Sequence, residues 1–162
     1  MLDTYLTTIQ ESTDSDIEIK DLPINNINIL GDLFKEFVRD TSKKTKFKNK
    51  KKTLNDKKKQ LLGSVYHKVL VAYDDNRPIA YMFGTIDDKF KSGVLNGAIA
   101  QLVVSKQYRG KGIAKDLWAI LDKWFNDKNV KIKWVSALYN NKEAIGLYKS
   151  FGFIEDQLIM RK

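Results

Sequence analysis

The chain has 162 residues, 43% of them hydrophobic and 30% charged, which suits one globular domain with a core of its own. With no cysteine and one histidine, disulfides, thiolate catalysis and cysteine-bound zinc are excluded, and a histidine-built metal centre is hard to assemble. The net charge of +9 suggests nucleic acid until it is mapped: ten lysines and Asp56 within residues 43–59 carry all of it, and the rest of the chain is neutral.

Residues 1–16 are polar and without sustained period, and read as a loose arm or a short helix ahead of one domain over 17–162. They lack the basic and apolar regions of a secretion signal, so a cytoplasmic location is expected. The longest uncharged run, Ser92 to Ser105, is 14 residues and too short to cross a bilayer. Ile17 to Lys20 alternates and predicts a first strand. Pro23 and the asparagines after it mark a loop. Ile27, Leu30, Leu33, Phe34, Phe37 and Val38 then recur at helical spacing and predict an amphipathic first helix.

The lysine run follows as an insertion between the first two helices. Its charge density predicts a mobile loop leading into a short helix near Asn55 to Leu62. Lys68 to Tyr73 and Pro78 to Ile86 read as strands joined by the hairpin chemistry of Asp74-Asp75-Asn76-Arg77. His67 is read as a connector residue; no Gly-x-Ser-x-Gly elbow accompanies it, so a serine triad is not supported. Phe90 to Asn96 is a turn region and Gly97 to Val104 the next strand. Ile113, Leu117, Trp118, Leu121, Trp124 and Phe125 line one helix face, a stripe read as core packing with no cofactor role. Lys131 to Leu138 predicts a strand, Asn141 to Ser150 a helix, and Phe153 to Met160 the closing strand or strands.

The segment Gln107-Tyr108-Arg109-Gly110-Lys111-Gly112-Ile113-Ala114 lies between an apolar strand and an amphipathic helix. A helix start carries N–H groups with no partner in the helix and the positive end of the macrodipole. Glycines let a bulky anion come close to the backbone, and Arg109 and Lys111 are available as side-chain clamps. An ordinary strand-to-helix turn has the same composition. The segment matches neither the P-loop nor the dinucleotide fingerprint.

It does resemble the acyl-CoA-binding signature of the GCN5-related N-acetyltransferase (GNAT) family, Gln/Arg-x-x-Gly-x-Gly/Ala, with Gln107, Gly110 and Gly112 at its fixed positions. Downstream, Asn141 to Phe153 resembles the family's Asn-x-x-Ala-x-x-Leu-Tyr-x-x-x-Gly-Phe motif. The resemblance spans roughly Ile17 to Ile159. It implies an α/β (α+β) fold: a single domain whose mixed, mostly antiparallel sheet splays at the central strand, with helices on both faces. It implies acetyl-CoA as cosubstrate, no metal, and direct transfer of the acetyl group to a primary amine of a protein or small metabolite.

By the same resemblance, backbone groups of Leu102, Val103 and Val104 pair with the pantetheine arm, and an N–H, that of Val104, faces the thioester oxygen. The backbone from Arg109 to Ala114, including Ile113, binds the pyrophosphate. Gln107 and Tyr108 complete the donor site. Tyr148 is the candidate general acid for the thiolate, although Ala144, Leu147, Tyr148 and Phe151 share one helical face and core packing alone would explain it. Asn141 is an N-cap, a coenzyme contact, or both.

The general base stays open among Asp87, Asp88, a water held by Gln101, Tyr66, Tyr81, and an amine that arrives neutral. In this family the first two helices and their connection bind much of the acceptor, and here that connection is the lysine run. A solvated loop and a dock for an acidic partner both fit it. The run disfavours polycationic acceptors. A second function class stays open, a catalytically silent coenzyme A-binding interaction module that works through Lys43 to Lys59. The molecule is read as a monomer or homodimer with no membrane partner.

Overall fold

The computed structural model describes residues 17–45, 53–88 and 93–160. The expected N-terminal arm and the middle of the lysine run, residues 46–52, lie outside the described residues. A five-stranded sheet runs in chain order, β1 (Glu18–Asp21), β2 (Tyr66–Asp74), β3 (Arg77–Asp87), β4 (Asn96–Val104) and β5 (Ile132–Val135). The first three pairings are antiparallel and β4–β5 is parallel. The β2–β3 turn has φ of 46° at Asp75 and 63° at Asn76, the two positive values that match a two-residue hairpin to strand twist. His67 is not in the connector but inside β2, opposite Thr85.

Helices cover both faces. One face carries a 3-10 helix (Ile24–Leu30), α1 (Gly31–Ser42) and α2 (Leu54–Leu62), which bury Ile27, Leu30, Leu33 and Leu61 against Val69, Val71, Tyr81, Phe83 and Val103. α2 starts on a capping box in which Thr53 Oγ1 accepts from the Asp56 N–H and Asp56 Oδ2 accepts from the Thr53 N–H. On the other face α3 (Ile113–Asp127) sets Ile113, Leu117, Leu121 and Phe125 on β2, β3 and β4. Each of these buried side chains contributes about 1.5–3 kcal/mol by area removed from water. Trp118 belongs to the same side, stacked on Phe151 at 5.5 Å, which agrees with the core role read from the stripe.

α4 (Lys142–Ser150) follows β5, and Phe151 caps it. The closing strand expected over Phe153 to Met160 does not form: the segment pairs with no strand, and Ile154 and Met160 are each 85% exposed. Glu155-Asp156-Gln157 interrupts the apolar alternation that a strand needs, and Glu155 pairs with Lys149 of α4 at 2.6 Å. Among the described residues no helix is long and apolar enough to cross a membrane.

Candidate functional site

The site is built where β4 and β5 part. Their ladder ends at Ile99 opposite Val135, so the last residues of β4 have a neighbour on the β3 side only. The Ser105 N–H donates to the Ile79 carbonyl at 2.9 Å. In that antiparallel register Val103 turns its N–H and C=O to β3, whereas Leu102 and Val104 turn theirs to the open edge. Of the three residues expected to meet the pantetheine arm, two have their backbone groups on the open edge, where the Val104 carbonyl accepts from Arg109 Nε.

At the end of β4 the chain passes through a short 3-10 turn (Lys106–Tyr108) into the glycine turn, with φ of 77° at Gly110 and 85° at Gly112. Gly112 caps α3 in the left-handed conformation, and its carbonyl accepts from the N–H groups of Lys115 and Asp116. Among the described residues, the N–H groups from Gly110 to Ala114 bond no other backbone or side-chain group. A row of unpaired donors at the positive end of a 15-residue helix attracts an anion of pyrophosphate size.

The side chains of this turn are engaged unevenly. Arg109 reaches α1, where its Nη2 donates to Asp40 at 2.9 Å and stands 3.7 Å from Glu36, while its Nε donates to the Val104 carbonyl at 2.9 Å. Arg109, and then Lys106, hold the Asp40 carboxyl below its ordinary value. Glu36 also accepts from the Lys106 N–H at 2.9 Å. α1 thus grips the donor turn, and a clamp role for Arg109 requires it to exchange these bonds. Lys111 lies over the Tyr108 ring at 5.1 Å. The Tyr108 hydroxyl donates to Asp74, which raises its own pKa. Gln107 and Tyr108 line a groove together with residues of α1 and Arg77.

Tyr148 sits on α4 in an aromatic group, 6.2 Å from Phe151 and 6.3 Å from Phe153 between ring centres. Burial pushes its phenol up to about 12, so it is a neutral donor at pH 7. Asn141 is the N-cap of α4: its Oδ1 accepts from the Ala144 N–H at 3.4 Å and also from Lys44 Nζ at 2.9 Å. Asn140 donates to the Lys44 carbonyl at 2.7 Å. The end of α1 is therefore tied to the start of α4. Lys57, from the other end of the lysine run, donates to the Ala100 carbonyl of β4 at 3.2 Å. The described ends of the run are fastened to the fold and do not form a detached loop.

The candidate bases separate by position. Asp87 pairs with Asn96 and Tyr66 with Ile86, so both lie at the start of β4, roughly 25 Å of strand from Val104. Tyr81 and Gln101 are at the reacting end, opposite Val103 and Phe83. Both are buried, and among the described residues the Tyr81 hydroxyl and both amide atoms of Gln101 have no hydrogen-bond partner. Groups left so cost about 1–3 kcal/mol each. Tyr81 and Gln101 share a face of the sheet, a proximity that arises only from the β3–β4 pairing.

The acetyltransferase (GNAT) family model matches residues 32–153. The chain belongs to the GNAT family of acetyltransferases. The match takes in both helices of the α1 face, the glycine turn and all of α4. Among solved structures, this GNAT domain superposes on AAC(6')-Iy in complex with a bisubstrate analogue, CoA-S-monomethyl-acetylneamine, with a TM-score of 0.70 at 16% identity, over 91% of this chain and 98% of that one. An aminoglycoside acetyltransferase from an uncultured soil metagenomic sample, in complex with trehalose, gives 0.69 at 19% identity over 92% and 96%. The ribosomal-protein-alanine N-acetyltransferase of Brucella melitensis biovar Abortus 2308 gives 0.66 at 18% identity over 90% and 99%. At these identities the likeness is one of fold. No curated protein matches the sequence.

Proposed function

We propose that this GNAT domain transfers an acetyl group from acetyl-CoA directly to a primary amine of a protein or small metabolite. The observation that carries the reading is the junction of β4 and α3, where an open strand edge at Leu102 and Val104 leads straight into five unpaired N–H groups. The edge suits the amide-bearing pantetheine arm, and the N–H row suits the pyrophosphate. The Val104 N–H, on the open edge, polarises the thioester carbonyl. Asn141 keeps its amide Nδ2 for the coenzyme while its Oδ1 caps α4.

Tyr148 stabilises the leaving thiolate. A phenol pushed to about 12 is a weaker acid than a thiol near 8.5, so its part is to hold a hydrogen bond to sulfur as charge develops. The acceptor is an amine near negative charge: Lys44 and Lys57 stand on either side of the α1–α2 connection, which carries the chain's whole charge excess. A polycationic acceptor meets repulsion there, screened beyond about 8 Å at physiological salt.

The test is release of free coenzyme A thiol from acetyl-CoA across a panel of amines, including peptides with acidic N-terminal sequences. Tyr148→Phe is expected to lower kcat about 100-fold with the KM for acetyl-CoA little changed. Tight acetyl-CoA binding with no thiol release on any amine would replace the enzyme with a coenzyme A-binding interaction module.

A further inference from the structure

The unpartnered polar atoms of Tyr81 and Gln101 are tied to an irregularity in β4. Between Phe83 and Gly84 the β3–β4 register shifts: Phe83 faces Gln101, Gly84 faces Ile99, and Ala100 is left without a partner. Ile99 packs on the α3 side, while Ala100 packs with the α1–α2 side, as does Val103 two residues past Gln101. The extra residue therefore carries Gln101 to the α1–α2 face; in a regular strand it would point at α3. On that face it is a diagonal neighbour of Tyr81, about 7–8 Å away between backbones. Lys57 of α2 reaches the same stretch of strand and donates to the Ala100 carbonyl at 3.2 Å.

We infer that Gln101 and Tyr81 together hold one water molecule beside the open edge of β4, and that this water takes the proton the acceptor amine loses. The inference rests on the acetyl-transfer reading. The neutral amine nitrogen bonds to the thioester carbon. Its proton passes through the water directly to bulk solvent, while Gln101 Oε1 and Tyr81 Oη accept hydrogen bonds from the water and hold it in place. The carbon–sulfur bond breaks with its electron pair on sulfur, where the Tyr148 hydroxyl holds a hydrogen bond to the thiolate until it leaves or takes a proton from solvent. No carboxylate enters the step. Among the described residues, the charged and titratable groups on this face include Lys57 from α2, Tyr73 near the end of β2 and, by strand alternation, His67 at a more distant row of β2.

A crystal structure of the free protein at high resolution is the first arm, and an ordered water bonded to both side chains is expected; a dry site overturns the inference. The second arm compares Tyr81→Phe and Gln101→Met with the parent in thiol release from acetyl-CoA. Each variant is expected to lose about tenfold or more in kcat and to keep its KM for acetyl-CoA. Gln101→Glu, which places a base on the spot, is expected to restore turnover with the pH–rate profile moved to lower pH. Variants that turn over like the parent leave the water structural and overturn the relay alone. A parent that releases no thiol on any amine, with the water in place, overturns the acetyl-transfer reading and the relay with it.

Discussion

Gly112 has φ of 85° and nothing within 4 Å of a Cβ built on it. Alanine there costs backbone strain of about 1 kcal/mol and meets no neighbour, but it places a methyl where an anion is to approach. Gly112→Ala is expected to lower Tm by about 2–4 °C and to weaken acetyl-CoA binding severalfold in calorimetry; unchanged binding would remove the turn from the donor site. Asp40 supplies a second expectation. Its carboxyl is depressed in the folded state, so its contribution is present above the unfolded value of about 3.9 and lost as pH falls through the folded one. The stability gap between the parent and Asp40→Asn, measured by urea unfolding, should be open at pH 7 and close below about pH 4.

At the scale of elements, the approach of α3 to the sheet depends on two glycines. A Cβ on Gly84 would fall 2.3 Å from Leu121 Cδ1, and one on Gly97 would fall 2.9 Å from the Phe125 ring. Leu121 and Phe125 are fully buried and have no space to yield. Gly84→Ala is therefore expected to cost about 1–3 kcal/mol of unfolding free energy by overpacking. Since the β4–α3 junction holds the donor turn, the same substitution should also weaken acetyl-CoA binding. The contacts of Glu36 and Asp40 with Arg109 and Lys106 join α1 to that junction.

For the whole molecule, the +9 charge is an attachment to a neutral domain rather than a property of its surface at large. Coulomb attraction between the lysine segment and an acidic acceptor falls with ionic strength. The KM for an acidic peptide acceptor should rise severalfold between about 50 and 300 mM salt, while that for a neutral amine stays nearly level. Equal salt dependence for the two would separate the lysine segment from acceptor binding.

The α3 stripe from Ile113 to Phe125, the β2–β3 hairpin and the glycine turn were legible in the sequence because each is set by neighbours in the chain: a helical period, two residues suited to positive φ, and glycines before a helix. Tyr148 and Asn141 were legible through their spacing in the second motif. Residues distant in sequence decided the rest. Register made Leu102 and Val104, not Val103, face the open edge, and a single unpaired residue at Ala100 turned Gln101 to the face that holds Tyr81. The last apolar segment, 153–160, stayed out of the sheet. Periodicity determines which residues can share a face. Pairing determines which face it is, and that depends on contacts made only when the chain has folded.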